Sequence, residues 1–147
     1  MERKDFQLSK AKLVDGGLEV TYKKIITNGD EVYTSKIHEE CTREYHPDLR
    51  NSFKACDDCF NELFSVKDKI ETRGISLSGV GDNTGVVLTG VYTTDNGQKV
   101  AVNSPRIRFG SDSFGFEEEL EELVHTIEDE LFAYLYEGKQ AQLELFE

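Results

Sequence analysis

This 147-residue chain predicts an α+β fold, read as βββα-βββα, with antiparallel strands covered by two amphipathic helices. Three observations lead there. Apolar and polar residues alternate over two separate stretches, and each stretch contains an Asn-Gly pair, Asn28-Gly29 and Asn96-Gly97, the strongest short hairpin signal. Each stretch is followed by apolar residues at helical spacing. Pro47 and Gly138 stand where a helix would start and stop.

The elements follow in order. Phe6, Leu8, Leu13 and Val14 mark the first strand, which turns at Asp15-Gly16-Gly17. Leu18 to Tyr22 alternates cleanly and runs on to Ile25-Ile26; Val32 and Tyr33 return after Asn28-Gly29. A helix from about Pro47 to Val66 is expected, its stripe being Leu49, Phe53, Cys56, Phe60 and Leu63. In the second half Ile75 and Leu77 open a strand, a glycine-rich loop spans 79–85, and Val86 to Tyr92 forms the next strand. Val100 and Val102 return from Asn96-Gly97, and residues 105–109 suit a short edge strand. The last helix, about Phe116 to Glu137, buries Phe116, Leu120, Leu123, Ile127, Leu131 and Tyr134 and keeps three glutamates in its first turn. One domain over residues 1–138 and a flexible docking tail over 139–147 are the expected organisation.

Charge is unevenly placed. Of the net −12, residues 116–147 hold 11 acids against Lys139 alone, whereas residues 1–115 hold 18 acids and 16 bases. Direct nucleic-acid binding by the acidic C-terminal region is therefore disfavoured, since phosphates would be repelled. Tyr22-Lys23-Lys24 and residues 106–109 are the local sequences that pair aromatics with bases. No apolar run reaches membrane-spanning length and the N-terminus has no hydrophobic signal core, so a cytoplasmic protein with no membrane partner is expected.

Motifs for chemistry are sparse. Cys56-Asp57-Asp58-Cys59 has zinc half-site spacing, and His38 with Cys41 would complete a set. Against it, Cys56 belongs to a helical apolar stripe, and reduced, structural cysteines are the default reading. The glycine loop lacks the lysine and the following helix that phosphate binding needs. No nucleophile elbow or HExxH helix is present; the residues name no cofactor and favour a non-enzymatic protein. His46 before Pro47 suits a helix cap, and His125 sits near the apolar edge of the last helix.

Beyond Gly138 the residue types change. Gln142-Leu143-Glu144-Leu145-Phe146 places two leucines and a phenylalanine where a solvated tail would be polar. The order resembles the Gln-Leu-any-Leu-Phe peptide by which bacterial replication and repair proteins bind the DNA sliding clamp. The resemblance implies that Gln142 fixes register through its amide while Leu143 packs alongside. Leu145 and Phe146 would then enter an apolar cleft. Burial of each such side chain gives about 1.5–3 kcal/mol, and ordering the segment offsets part of it. Micromolar binding, about −8 kcal/mol, is the expectation.

Together with residues 45–49 opening a helix and the two meanders, this segment resembles small proteins of bacteriophage and prophage replication or recombination modules. The resemblance implies a phage accessory factor in the host bacterial cytoplasm. Such a factor docks on the clamp and recruits, displaces or inhibits replication and repair proteins. Two alternatives come from other classes. One is a counter-defence or regulatory protein binding a host protein or small ligand through its β-rich body. The other is a nucleic-acid-processing enzyme brought to the clamp.

Overall fold

The computed structural model describes residues 1–139, and these form an α+β domain around one antiparallel sheet. Strands β1 (Phe6–Val14), β2 (Gly17–Asn28) and β3 (Glu31–Cys41) form the expected first meander. Helices α1 (Pro47–Lys54) and α2 (Asp57–Leu63) follow, then β4 (Ile70–Ser78), β5 (Gly85–Thr93), β6 (Lys99–Asn103) and β7 (Ile107–Arg108). Helix α3 (Glu117–Tyr136) comes last. The sheet order is β3-β2-β1-β4-β5-β6, with β7 also pairing β5. Among the described residues no helix is long and apolar enough to cross a membrane.

Both meanders share this sheet because β1 pairs with β4, setting Ala11 opposite Ile75. One face carries Leu8, Leu13, Leu18, Val20, Ile75 and Leu88, all buried beneath Phe53, Phe60, Leu120 and Leu131 of the helices. Two bulges keep that face apolar. The register of β1 against β2 shifts between Leu8 and Lys10, so Ala11 and Leu13 replace Lys10 and Lys12 on the core side. A second shift, between Thr72 and Gly74, does the same for Ile75.

The structure departs from the expected element order in two places. The helix expected over 47–66 is broken. Cys56 donates its N–H to the Phe53 carbonyl at 3.0 Å, an i−3 contact that interrupts the α-helical ladder. Helix α2 is aligned on β4 instead. Asp57 Oδ1 accepts the Thr72 N–H at 2.7 Å. The buried Asn61 amide donates to the Asp57 and Ile70 carbonyls and accepts from the N–H groups of Lys69 and Ile70. Ser65, at φ +54°, then stops α2, with the Val66 N–H returning to the Asn61 carbonyl at 3.1 Å.

The second departure is in strand count: the short edge strand expected over 105–109 forms as β7, and with β6 also along β5 the second half has four strands rather than three. Between β6 and β7 Ser104 exchanges bonds with Leu88, its N–H to the carbonyl at 2.8 Å and its Oγ accepting the Leu88 N–H at 2.8 Å. Pro105, which has no N–H, follows at the interruption.

On the other edge, β2 and β3 outrun β1, whose pairing with β2 ends at Phe6 opposite Lys24. Beyond it the ribbon carries Ile26, Val32 and Tyr33 into solvent.

Candidate functional site

The expected docking residues Gln142, Leu143, Leu145 and Phe146 lie outside the described residues. The end of α3, from which that segment departs, is described in full. Tyr134 is buried and donates its hydroxyl to the Arg43 carbonyl at 2.8 Å. The Arg43 guanidinium lies 4.6 Å from the centre of the Tyr134 ring and donates to the Tyr134 carbonyl at 3.4 Å. A cation at a helix C-terminus interacts favourably with the dipole, and the last turn of α3 supplies none of its own.

Gly138 ends the helix at φ +71°, a left-handed conformation that suits glycine. The Lys139 ammonium then donates to Asp48 Oδ2 at 2.9 Å and to Glu130 Oε1 at 3.1 Å. The hydrogen bond from Lys139 holds the Asp48 carboxyl below its ordinary range. The chain thus leaves the described body beside the first turn of α1. His46 caps that turn as expected, its Nδ1 accepting the Asp48 N–H at 3.1 Å.

The zinc set is not assembled. Among the described residues no three His, Cys, Asp or Glu side chains are placed to hold a metal. Cys56 and Cys59 lie in the core, and burial pushes their thiols up to about 12 and about 11. His38 sits on the edge strand, its Nδ1 2.8 Å from Thr21 Oγ1. Cys41 is half-buried at the end of β3, and burial, aided by Glu39, raises its thiol above the ordinary value.

The two aromatic-basic sequences offer no stacking surface. Tyr22 is buried, its hydroxyl bonded to those of Tyr136 and to Glu39 Oε1 at 3.3 Å. Ile107 is buried and Phe109 half-buried. Arg106 instead closes the glycine loop, bonding Ser78 Oγ at 2.8 Å and the Ser78 and Asn83 carbonyls. A strand follows that loop, so it presents no helix N-terminus.

His125 is exposed rather than at the apolar edge; Val124 takes the core position beside a half-buried Leu123. With Asp82, Glu121 and Glu128 it lines an open, acidic cavity of about 420 Å³ beneath α3. Burial raises the Glu128 carboxyl, opposed by His125, whose Nδ1 lies 3.3 Å from Glu128 Oε1, and by Arg3.

A cavity of about 460 Å³ at the β1–β2 turn is lined instead by Arg43, Arg50 and Arg73. Sequence reading missed it, because its residues are spread from Leu13 to Arg73 and carry no motif.

Compared with known proteins, the chain matches no family model, no curated protein and no solved structure.

Proposed function

We propose that this protein is a non-enzymatic bacteriophage accessory factor that docks on the bacterial DNA sliding clamp through Gln142, Leu143, Leu145 and Phe146. In this reading residues 139–147 are a flexible docking tail, and the folded body recruits, displaces or inhibits replication or repair proteins in the host cytoplasm. The observation that carries it is the pentapeptide itself, QLELF, placed a few residues past the glycine that ends α3. Two details of the body support it. Lys139, three residues before Gln142 in the sequence, is tied to both α1 and α3 and so marks the last anchored residue of the described body. The acidic surface of α3 disfavours a direct grip on the DNA that the clamp encircles.

The same reading counts α1–α2 as one broken helix and β6–β7 as one interrupted strand, so that the body is two βββα halves.

The test is a titration of purified clamp with the full chain and with Leu145→Ala/Phe146→Ala. Micromolar, saturable binding that the double substitution removes, at unchanged thermal stability, is the expected result. A double variant that unfolds would mean that the two side chains belong to the core instead.

A further inference from the structure

We propose that the cavity lined by Arg43, Arg50 and Arg73 is a binding site for a small organic phosphate ester. It is walled by the Asp15-Gly16-Gly17 turn, the β3–α1 connection, α1 and β4. A second cavity of about 280 Å³ shares Leu13, Arg50 and Arg73 and continues it past Lys54. The first alone is within the size range of small-molecule sites, roughly 300–1,000 Å³.

The charge placement is selective. The chain has six arginines and a net charge of −12, yet three of the six converge here. The cavity beneath α3 gathers Asp82, Glu121 and Glu128 instead. Guanidinium groups offer planar, paired donors that match phosphate oxygens.

These donors are incompletely used. Arg43 is held in place by the Tyr134 ring, as a positioned wall would be. Arg50 bonds one neutral partner, the Tyr45 hydroxyl, at 3.3 Å. Arg73 gives one terminal nitrogen to Glu71 Oε2 at 3.2 Å, while its Nε is buried with no hydrogen-bond partner among the described residues.

The wall also limits the ligand. Asp15 and Glu44 line the same cavity, and Glu71 pairs Arg73 from the adjoining one, so little positive charge is left over. That balance suits a single phosphate group rather than a polyphosphate or a nucleic-acid backbone. Three guanidinium groups also provide more donors than the two oxygens of a carboxylate can satisfy. Leu13, Val14 and Tyr45 offer apolar surface to the organic part of the ester.

The experiment follows the guanidinium Nε–H signals of full-length protein at low salt during titration with inorganic phosphate, phenyl phosphate and acetate. Expected are saturable shifts at Arg73 with both phosphates, tighter binding of phenyl phosphate, and no saturation with acetate. Arg50→Ala and Arg73→Lys should each weaken binding about tenfold. Arg108→Ala, outside the cavity, should leave it unchanged. Should Arg73→Lys disturb the fold, Arg50→Ala carries the comparison alone. No saturation by either phosphate at ~10 mM, which corresponds to less than about 3 kcal/mol, overturns the proposal. So does equal binding by wild type and Arg50→Ala, and saturation by acetate alone overturns the choice of phosphate.

Discussion

The two ends of α3 solve the same problem in opposite ways. At its start the helix answers its own dipole with Glu117, Glu118 and Glu119. At its finish no basic residue of the last turn helps, and the cation comes from elsewhere in the chain, Arg43 lying across Tyr134. The cavity beneath the middle of α3 gathers Asp82, Glu121 and Glu128, whereas the cavity beyond its finish gathers guanidinium groups. The net charge of the chain therefore says little about what either end would attract. The proposed phosphate site accordingly lies in the arginine-lined cavity and not in the acidic one.

The contrast breaks most severely at Tyr134. Tyr134→Ala removes a buried ring and the platform for Arg43. A loss of about 3–5 kcal/mol, read from the denaturant midpoint, is expected. Tyr134→Phe keeps the ring and removes the bond to the Arg43 carbonyl, for about 1 kcal/mol. If the two variants were equally unstable, the hydroxyl rather than the ring would hold this end together.

Arg43→Ala tests the borrowed cation itself. A loss of about 1 kcal/mol is expected, combining the ring contact with the helix end. A neutral outcome in thermal melts would reduce Arg43 to a solvated side chain.

Two carboxyls on α3, Glu117 at its start and Glu128 past its middle, should respond to pH in opposite senses. Burial raises both. In Glu117, however, bonds from the Phe114 N–H and the Ser111 hydroxyl prevail and hold it below its ordinary range, whereas Glu128 stays raised. Glu117 therefore contributes stability above the unfolded carboxyl range, lost as pH falls through its lower folded value. Glu128 does the reverse: its contribution is fullest when protonated and is lost as pH rises through its higher folded value. Melts of Glu117→Gln and Glu128→Gln at acid and neutral pH check this. From acid to neutral pH the first variant should fall further behind wild type while the second gains on it. Parallel pH profiles would contradict the assignment.

The smallest effect is expected at Lys139. Its pairs with Asp48 and Glu130 are partly exposed, and such pairs contribute little. Lys139→Ala should barely move the melting temperature; a large drop would show that this residue holds the helix end rather than marking its exit.

What the sequence reveals and hides follows the range of the interactions. The turn at Asn28-Gly29, the His46-Pro47 helix start and the Gly138 stop were legible because each depends on a few adjacent residues. The stripes of α1, α2 and α3 were legible because one helical face meets one core. The bulges in β1 and β4 were not, since each is defined by a partner strand distant in sequence. The break before Asp57 escaped for the same reason: Thr72 and Ile70 draw α2 onto β4. The arginine cavity was least legible, because Arg43, Arg50 and Arg73 meet only after β1, α1 and β4 have packed. Conversely, the proposed clamp-docking peptide rests on sequence alone, because a docking segment needs its partner's surface rather than its own fold.

The most direct test of the account is calorimetric titration of bacterial sliding clamp with the full chain and with its Leu145→Ala/Phe146→Ala variant. Saturable micromolar binding by the first and none by the second, with both equally folded, is the predicted result. No binding by the intact, folded chain, or equal binding by both, would contradict the clamp-docking function.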